Sequence, residues 1–135
     1  MDRRQFDRAI LVVGSAIRNQ HAGSANPVPA RVIMGWIGEM TGRPVYPRDV
    51  SDVIRTLRES GEHIGHGPRG YFSIVDGREY DAVIDDIESR LEDMRSLLAI
   101  LRRNAREFRR RQVKLTFGDR AVAAPPQEVS SGPTS

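Results

Sequence analysis

At 135 residues the chain has room for one small domain with an appendage, but not for two ordinary domains. Its net charge of +3 comes from 21 basic residues, of which only Lys114 is a lysine, against 18 acidic ones. A hydrophobic fraction of 39% with 29% charged residues excludes a wholly disordered chain, and zero cysteines exclude disulfides, thiolate catalysis and cysteine-ligated zinc. The longest apolar runs, such as Ala9 to Val13, fall far short of the roughly 18 residues that cross a bilayer. The start, Met1-Asp2-Arg3-Arg4, mixes charges and leads into no uninterrupted apolar stretch, so no signal peptide is expected. The expectation is a cytoplasmic protein without a membrane partner.

Phe6, Ile10, Val13 and Ile17 recur at spacings of four, three and four, which predicts a first helix from Arg4 to about Asn19. The stretch from Gln20 to Pro27 is rich in helix breakers and reads as a loop. A second helix is predicted from about Pro29 to Thr41, with Val32, Ile33, Trp36, Ile37 and Met40 as its apolar stripe and Pro29 at its first turn. Gly42 can stop that helix. A third helix follows from Pro47 to about Ser60, with Val50, Val53, Ile54 and Leu57 inward and Arg48, Ser51, Asp52, Arg55 and Arg58 outward. The period then falls from 3.6 to 2. The segments 62–66 and 70–75 flank Gly67-Pro68-Arg69 and read as a β-hairpin.

Three helices with a short connection between the second and third, followed by a hairpin, form the order of a winged helix-turn-helix. The segment Val50-Ser51-Asp52-Val53-Ile54-Arg55-Thr56-Leu57-Arg58-Glu59-Ser60-Gly61 resembles the recognition helix of many winged-helix proteins. Gly70-Tyr71-Phe72 is similar to the returning wing strand of small phage and prophage DNA-binding proteins. The resemblance covers roughly Arg4 to Val75 and rests on pattern, with no invariant motif. It implies double-stranded DNA as partner. Arg48, Ser51, Asp52, Arg55 and Arg58 would face the major groove, where arginine bonds bidentately to guanine. Arg69 at the wing tip would contact the backbone or minor groove, and Arg31 and Arg43 would contact phosphates. Against this stand the bland reading, a solvated helix face, and an excess of only two basic residues over residues 1–76. Asp49, Asp52, Glu59 and Glu62 would also oppose phosphate.

A long helix is predicted from about Arg78 to Gln112. Tyr80, Ile84, Ile87, Leu91, Met94, Leu98, Leu101, Ala105 and Phe108 alternate spacings of four and three, a heptad seam that predicts a dimerising coiled coil. With Ile84, Leu91, Leu98 and Ala105 at a, the e positions are Asp81, Glu88, Arg95, Arg102 and Arg109. An antiparallel homodimer sets Asp81 against Arg109 and Glu88 against Arg102 of its partner, with Arg95 facing its own copy. A parallel one sets Arg90 against Arg95, so antiparallel pairing is favoured. The same helix holds seven acids and one arginine from Glu79 to Asp93, then seven arginines and one acid from Arg95 to Arg111. The later block could alternatively bind phosphate through Arg102, Arg103, Arg106 and Arg109 to Arg111. The small-residue and proline-rich end predicts a disordered tail.

His63 and His66, three apart on a strand, point to opposite faces, and no paired carboxylates or nucleophile–base spacing is present. No catalytic residue, metal site or cofactor is therefore expected. The fold expectation is mainly α with a small β-hairpin: a winged helix-turn-helix at 1–76, a coiled-coil helix at 77–114 and a tail at 115–135. The expected function is sequence-specific DNA binding by a dimeric transcriptional regulator of bacterial or phage origin. The alternatives are a phage or plasmid replication or packaging factor, and a protein–protein adaptor that works through its coiled coil.

Overall fold

Asp2 starts the first helix, α1 (Arg3–Gln20), by a reciprocal cap: its carboxylate accepts from the Gln5 N–H at 2.8 Å, and the Gln5 side chain accepts from the Asp2 N–H at 3.2 Å. The computed structural model describes residues 1–122, with side-chain surroundings as far as Leu115. Helix α2 (Ala30–Thr41) begins behind the extended Pro29 and ends where Gly42 turns left-handed at φ 66°. Helix α3 (Pro47–Glu59) has Pro47 in its first turn, and the Asp49 carboxylate accepts from the Tyr46 N–H at 2.9 Å. Strands β1 (Ile64–Gly67) and β2 (Gly70–Ser73) pair antiparallel, with Ile64 opposite Ser73 and Gly67 opposite Gly70, around the two-residue turn Pro68-Arg69. The last element is α4 (Gly77–Val122). The molecule is thus mainly helical, with one small hairpin and a long C-terminal helix.

The chain divides into two units, Met1–Ile87 and Glu88–Ser135. The core of the first is built from Ala9, Val13 and Ile17 of α1, Ile33 and Ile37 of α2, and Val50, Val53, Ile54 and Leu57 of α3, joined by Val28 and Ile64. Each fully buried branched side chain contributes about 1.5–3 kcal/mol of transfer free energy. The stripes predicted from periodicity are wider than what is buried. Phe6, Ile10, Trp36 and Met40 pack half-buried at the edge of the core, while Val32 faces outward.

The segment between α1 and α2 departs from the predicted loop. The Val28 N–H donates to the Tyr71 carbonyl at 2.7 Å, and the Tyr71 N–H donates back at 2.9 Å. Further along, the Gly23 N–H donates to the Ser73 carbonyl and the Ser73 N–H donates to the His21 carbonyl, both at 2.8 Å. Strand β2 is therefore bonded on both edges. The pairing at Val28 is a single bridge, with Pro27 and Pro29 on either side.

The division at Ile87 falls later than the 76/77 boundary predicted from the hairpin's end, because the first turns of α4 are tied to the first unit. Asp76 caps α4 by accepting from the Glu79 N–H at 2.9 Å. The Glu79 carboxylate reaches back to accept from the Ser24 N–H at 2.7 Å and the Val75 N–H at 3.0 Å. Tyr80 hydrogen-bonds through its hydroxyl to His63 Nδ1 at 2.6 Å, with the rings edge to face. At its other end α4 runs to Val122, past the expected limit at 114. No proline intervenes before Pro125, and each added residue gains one hydrogen bond without a new nucleation cost. The remainder of the predicted tail lies outside the described residues.

The amide donors on Glu79, Ser24 first and Val75 second, hold its carboxyl below the ordinary carboxylate range against a smaller opposing effect of burial. A depressed folded-state value means that this contribution to stability is complete above the unfolded-state pKa. It is lost as pH falls through the lowered folded-state value. Glu79→Gln should therefore flatten the acid limb of a Tm-against-pH profile. An unchanged slope would assign the acid sensitivity to other carboxylates.

Candidate nucleic-acid interface and self-association seam

Helix α3 buries Val50, Val53, Ile54 and Leu57, and the 3.6-residue period turns Arg48, Ser51, Arg55 and Arg58 outward, with Asp52 half-buried. Its acids are largely engaged locally. Asp49 caps the helix, and Asp52 pairs with Arg55 at 2.9 Å. Glu62 accepts from Arg18 at 2.8 Å and 2.9 Å. Three of the four carboxylates that oppose phosphate in the sequence reading thus already have a donor or cation beside them.

The predicted site residues separate into two groups. Arg55 carries its own counterion, Arg58 donates through Nε to the Ile64 carbonyl at 3.0 Å, and the Ser51 hydroxyl donates to the Pro47 carbonyl at 3.3 Å. Arg58 thereby braces α3 against β1. Arg31, Arg43, Arg48 and Arg69 are exposed, and their guanidinium groups have no hydrogen-bond or ion-pair partner among the described residues. They come from α2, the α2–α3 connection, α3 and the hairpin turn. Arg31 and Arg69 line one groove, together with Pro29, Ala30, His66, Pro68 and Gly70. Guanidinium groups placed so can form paired hydrogen bonds to phosphate oxygens or to a guanine edge.

His66 was absent from the predicted interface. It lies across the hairpin from Tyr71, and the two rings stack with centroids 4.3 Å apart. The signal for that placement is the hairpin register itself, because a two-residue turn at 68–69 makes 66 and 71 cross-strand partners. His63 is taken up by Tyr80, and His21 Nδ1 donates to the Asn26 carbonyl at 3.0 Å. No cluster of three metal-ligating side chains occurs among the described residues.

Along α4 the seam residues Ile84, Ile87, Leu91, Met94, Leu98, Leu101 and Phe108 are exposed in the single chain, and Ala105 is half-exposed. Tyr80, the first of the predicted seam, is engaged by His63 within the first unit. Ion pairs of the second unit run within the helix, Glu92 to Arg95 at 3.9 Å and Glu107 to Arg110 at 3.0 Å. Exposed pairs of this kind are worth under about 1 kcal/mol. No helix among the described residues is long and apolar enough to cross a membrane. Comparison with protein-family models, with curated proteins and with solved structures finds no match.

Proposed function

We propose that the first unit is a winged helix-turn-helix domain that binds double-stranded DNA sequence-specifically, and that α4 joins two copies as an antiparallel coiled coil. The reading is that of a dimeric transcriptional regulator of bacterial or phage type. The observation that carries it is the set of uncommitted arginines, Arg31, Arg43, Arg48 and Arg69, contributed by four separate segments of a small unit whose acids near α3 are mostly engaged locally. Arg48 and Arg55 read bases from α3. Arg31, Arg43 and Arg69 hold phosphates or the minor groove, and Arg58 positions α3 as well as lying beside the DNA. The exposed heptad seam supports self-association, because so continuous an apolar stripe is costly to leave in water.

Gel shift or fluorescence polarisation with genomic fragments at two salt concentrations tests this. Sequence-preferring binding that weakens with salt is expected. Arg48→Ala with Arg55→Ala should weaken the preferred site by about 30-fold or more, at roughly 1–3 kcal/mol per bidentate contact. Arg31→Ala should weaken all sequences alike and lower the salt slope by about one. Full binding by the α3 double variant would overturn the base-reading assignment. Binding to no DNA would favour the second reading, an adaptor whose working surface is the α4 seam.

A further inference from the structure

Arg31 and Arg69 stand on backbone that is fixed before any ligand arrives. The Val28 and Tyr71 main chains exchange two hydrogen bonds, and Gly70 packs so closely on the Val28 carbonyl that a Cβ would lie 2.2 Å from its oxygen. Arg69 immediately precedes Gly70, and Arg31 follows Pro29 by two residues. The groove that both arginines line has a volume of about 500 Å³, inside the roughly 300–1,000 Å³ range of small-molecule sites. Its charged lining is of one sign. No carboxylate lines it, both guanidinium groups are uncommitted, and the remaining ionisable group, the His66 ring, is neutral or cationic. Pro29, Ala30 and Pro68 give the groove an apolar wall.

We infer that this groove binds the phosphate monoester of a small molecule, such as a free mononucleotide, in competition with DNA. Two guanidinium groups offer two planar forks of donors and two positive charges. A phosphate monoester at pH 7 presents about −1.5 to −2 charges and three terminal oxygens, enough to accept from both forks. An internal DNA phosphate is a diester with one negative charge and two free oxygens, so it matches the pair less fully. Backbone fixed by the Val28–Tyr71 bonds lowers the ordering cost of bringing the two arginines to one anion. The apolar wall suits the sugar or base that the monoester carries. Competition with DNA rests on the DNA-binding reading above, whereas binding of the monoester does not.

Isothermal titration calorimetry of the full chain with adenosine 5′-monophosphate, at constant ionic strength, tests the inference. Saturable binding is expected. Arg31→Ala and Arg69→Ala should each weaken it about tenfold or more, the loss of a charge-assisted paired contact. Arg8→Ala, on the exposed surface of α1, should not. Dimethyl phosphate should bind at least about tenfold more weakly than the nucleotide, because it carries a single charge. In fluorescence polarisation the nucleotide should raise the apparent dissociation constant of a 5′-hydroxyl duplex, and should lose that effect in the Arg31→Ala, Arg69→Ala protein. No saturable nucleotide binding beside intact DNA binding would overturn the monoester site and leave the DNA reading standing. Nucleotide binding without any DNA binding would keep the site and overturn the DNA reading. Equal affinity for the nucleotide and dimethyl phosphate would overturn the match to a monoester. Tighter binding of a 5′-phosphorylated duplex than of its 5′-hydroxyl counterpart would overturn a small molecule as the source.

Discussion

Replacing Gly70 with alanine is expected to remove at least ~3 kcal/mol of stability, enough to unfold much of a marginally stable domain at physiological temperature. Gly70 opens β2 at φ 136°, a backbone conformation that side-chain-bearing residues rarely adopt. A Cβ at this position would also lie 2.2 Å from the Val28 carbonyl oxygen and 2.8 Å from the Pro29 nitrogen. Those atoms belong to backbone held by the reciprocal Val28–Tyr71 hydrogen bonds, so no flexible side-chain end can yield. Relief requires breaking the bridge that joins the α1–α2 segment to the hairpin. Gly42→Ala supplies the control, because Gly42 is also left-handed, at φ 66°, but a Cβ there meets nothing within 4 Å. It should cost only the conformational penalty of about 1–2 kcal/mol. Urea denaturation of both variants separates the terms. Equal losses would show that the clash with Val28 is relieved at no cost.

Reversing the acids near the start of α4 should break the proposed antiparallel pair. Asp81→Arg with Glu88→Arg places arginine against Arg109 and Arg102 of the partner helix, and symmetry repeats each contact. If each exposed contact moves from about 0.5 kcal/mol favourable to a similar repulsion, the loss is roughly 2–4 kcal/mol. The dissociation constant should then rise by roughly 30- to 1,000-fold. Compensating reversal with Arg102→Glu and Arg109→Glu should restore association, since the seam residues from Ile84 to Phe108 are untouched. The effect should shrink at high salt, as exposed charges are screened beyond about 10 Å at 0.1 M ionic strength. Unchanged mass of the double variant would overturn antiparallel pairing through these residues.

Helix boundaries were legible because their causes are local. Pro47 in a first turn and Gly42 after the last turn act within a few residues, and α2 and α3 end within a residue of expectation. The hairpin was legible from its change of period and its Gly-Pro-Arg-Gly turn, although the strands are shorter than the stretches read for them. The engagement of Asp52 by Arg55 is an i,i+3 pair and could have been read from spacing alone. Arg58 could not: its bond to the Ile64 carbonyl depends on how the chain reverses after α3. Nor could the burial of a helix stripe be read to the residue. Periodicity gives a direction, and whether Val32 or Ile33 is covered depends on where α1 and α3 lie.

Element type, the outward arginines of α3 and the heptad seam of α4 follow from residue order, since side-chain direction repeats every 3.6 or 2 residues whatever surrounds the element. Contacts between distant segments follow only from the packed fold. Ser24 meets Glu79, Arg18 meets Glu62, and Val28 bonds to Tyr71 beneath Gly70, across separations that no local pattern encodes. Packing decides them because a buried backbone group must find a partner wherever the core places it, and the carboxylates near α3 take whichever donor or cation lies within reach. The same packing selected, from eight predicted interface residues, four arginines left uncommitted at the surface.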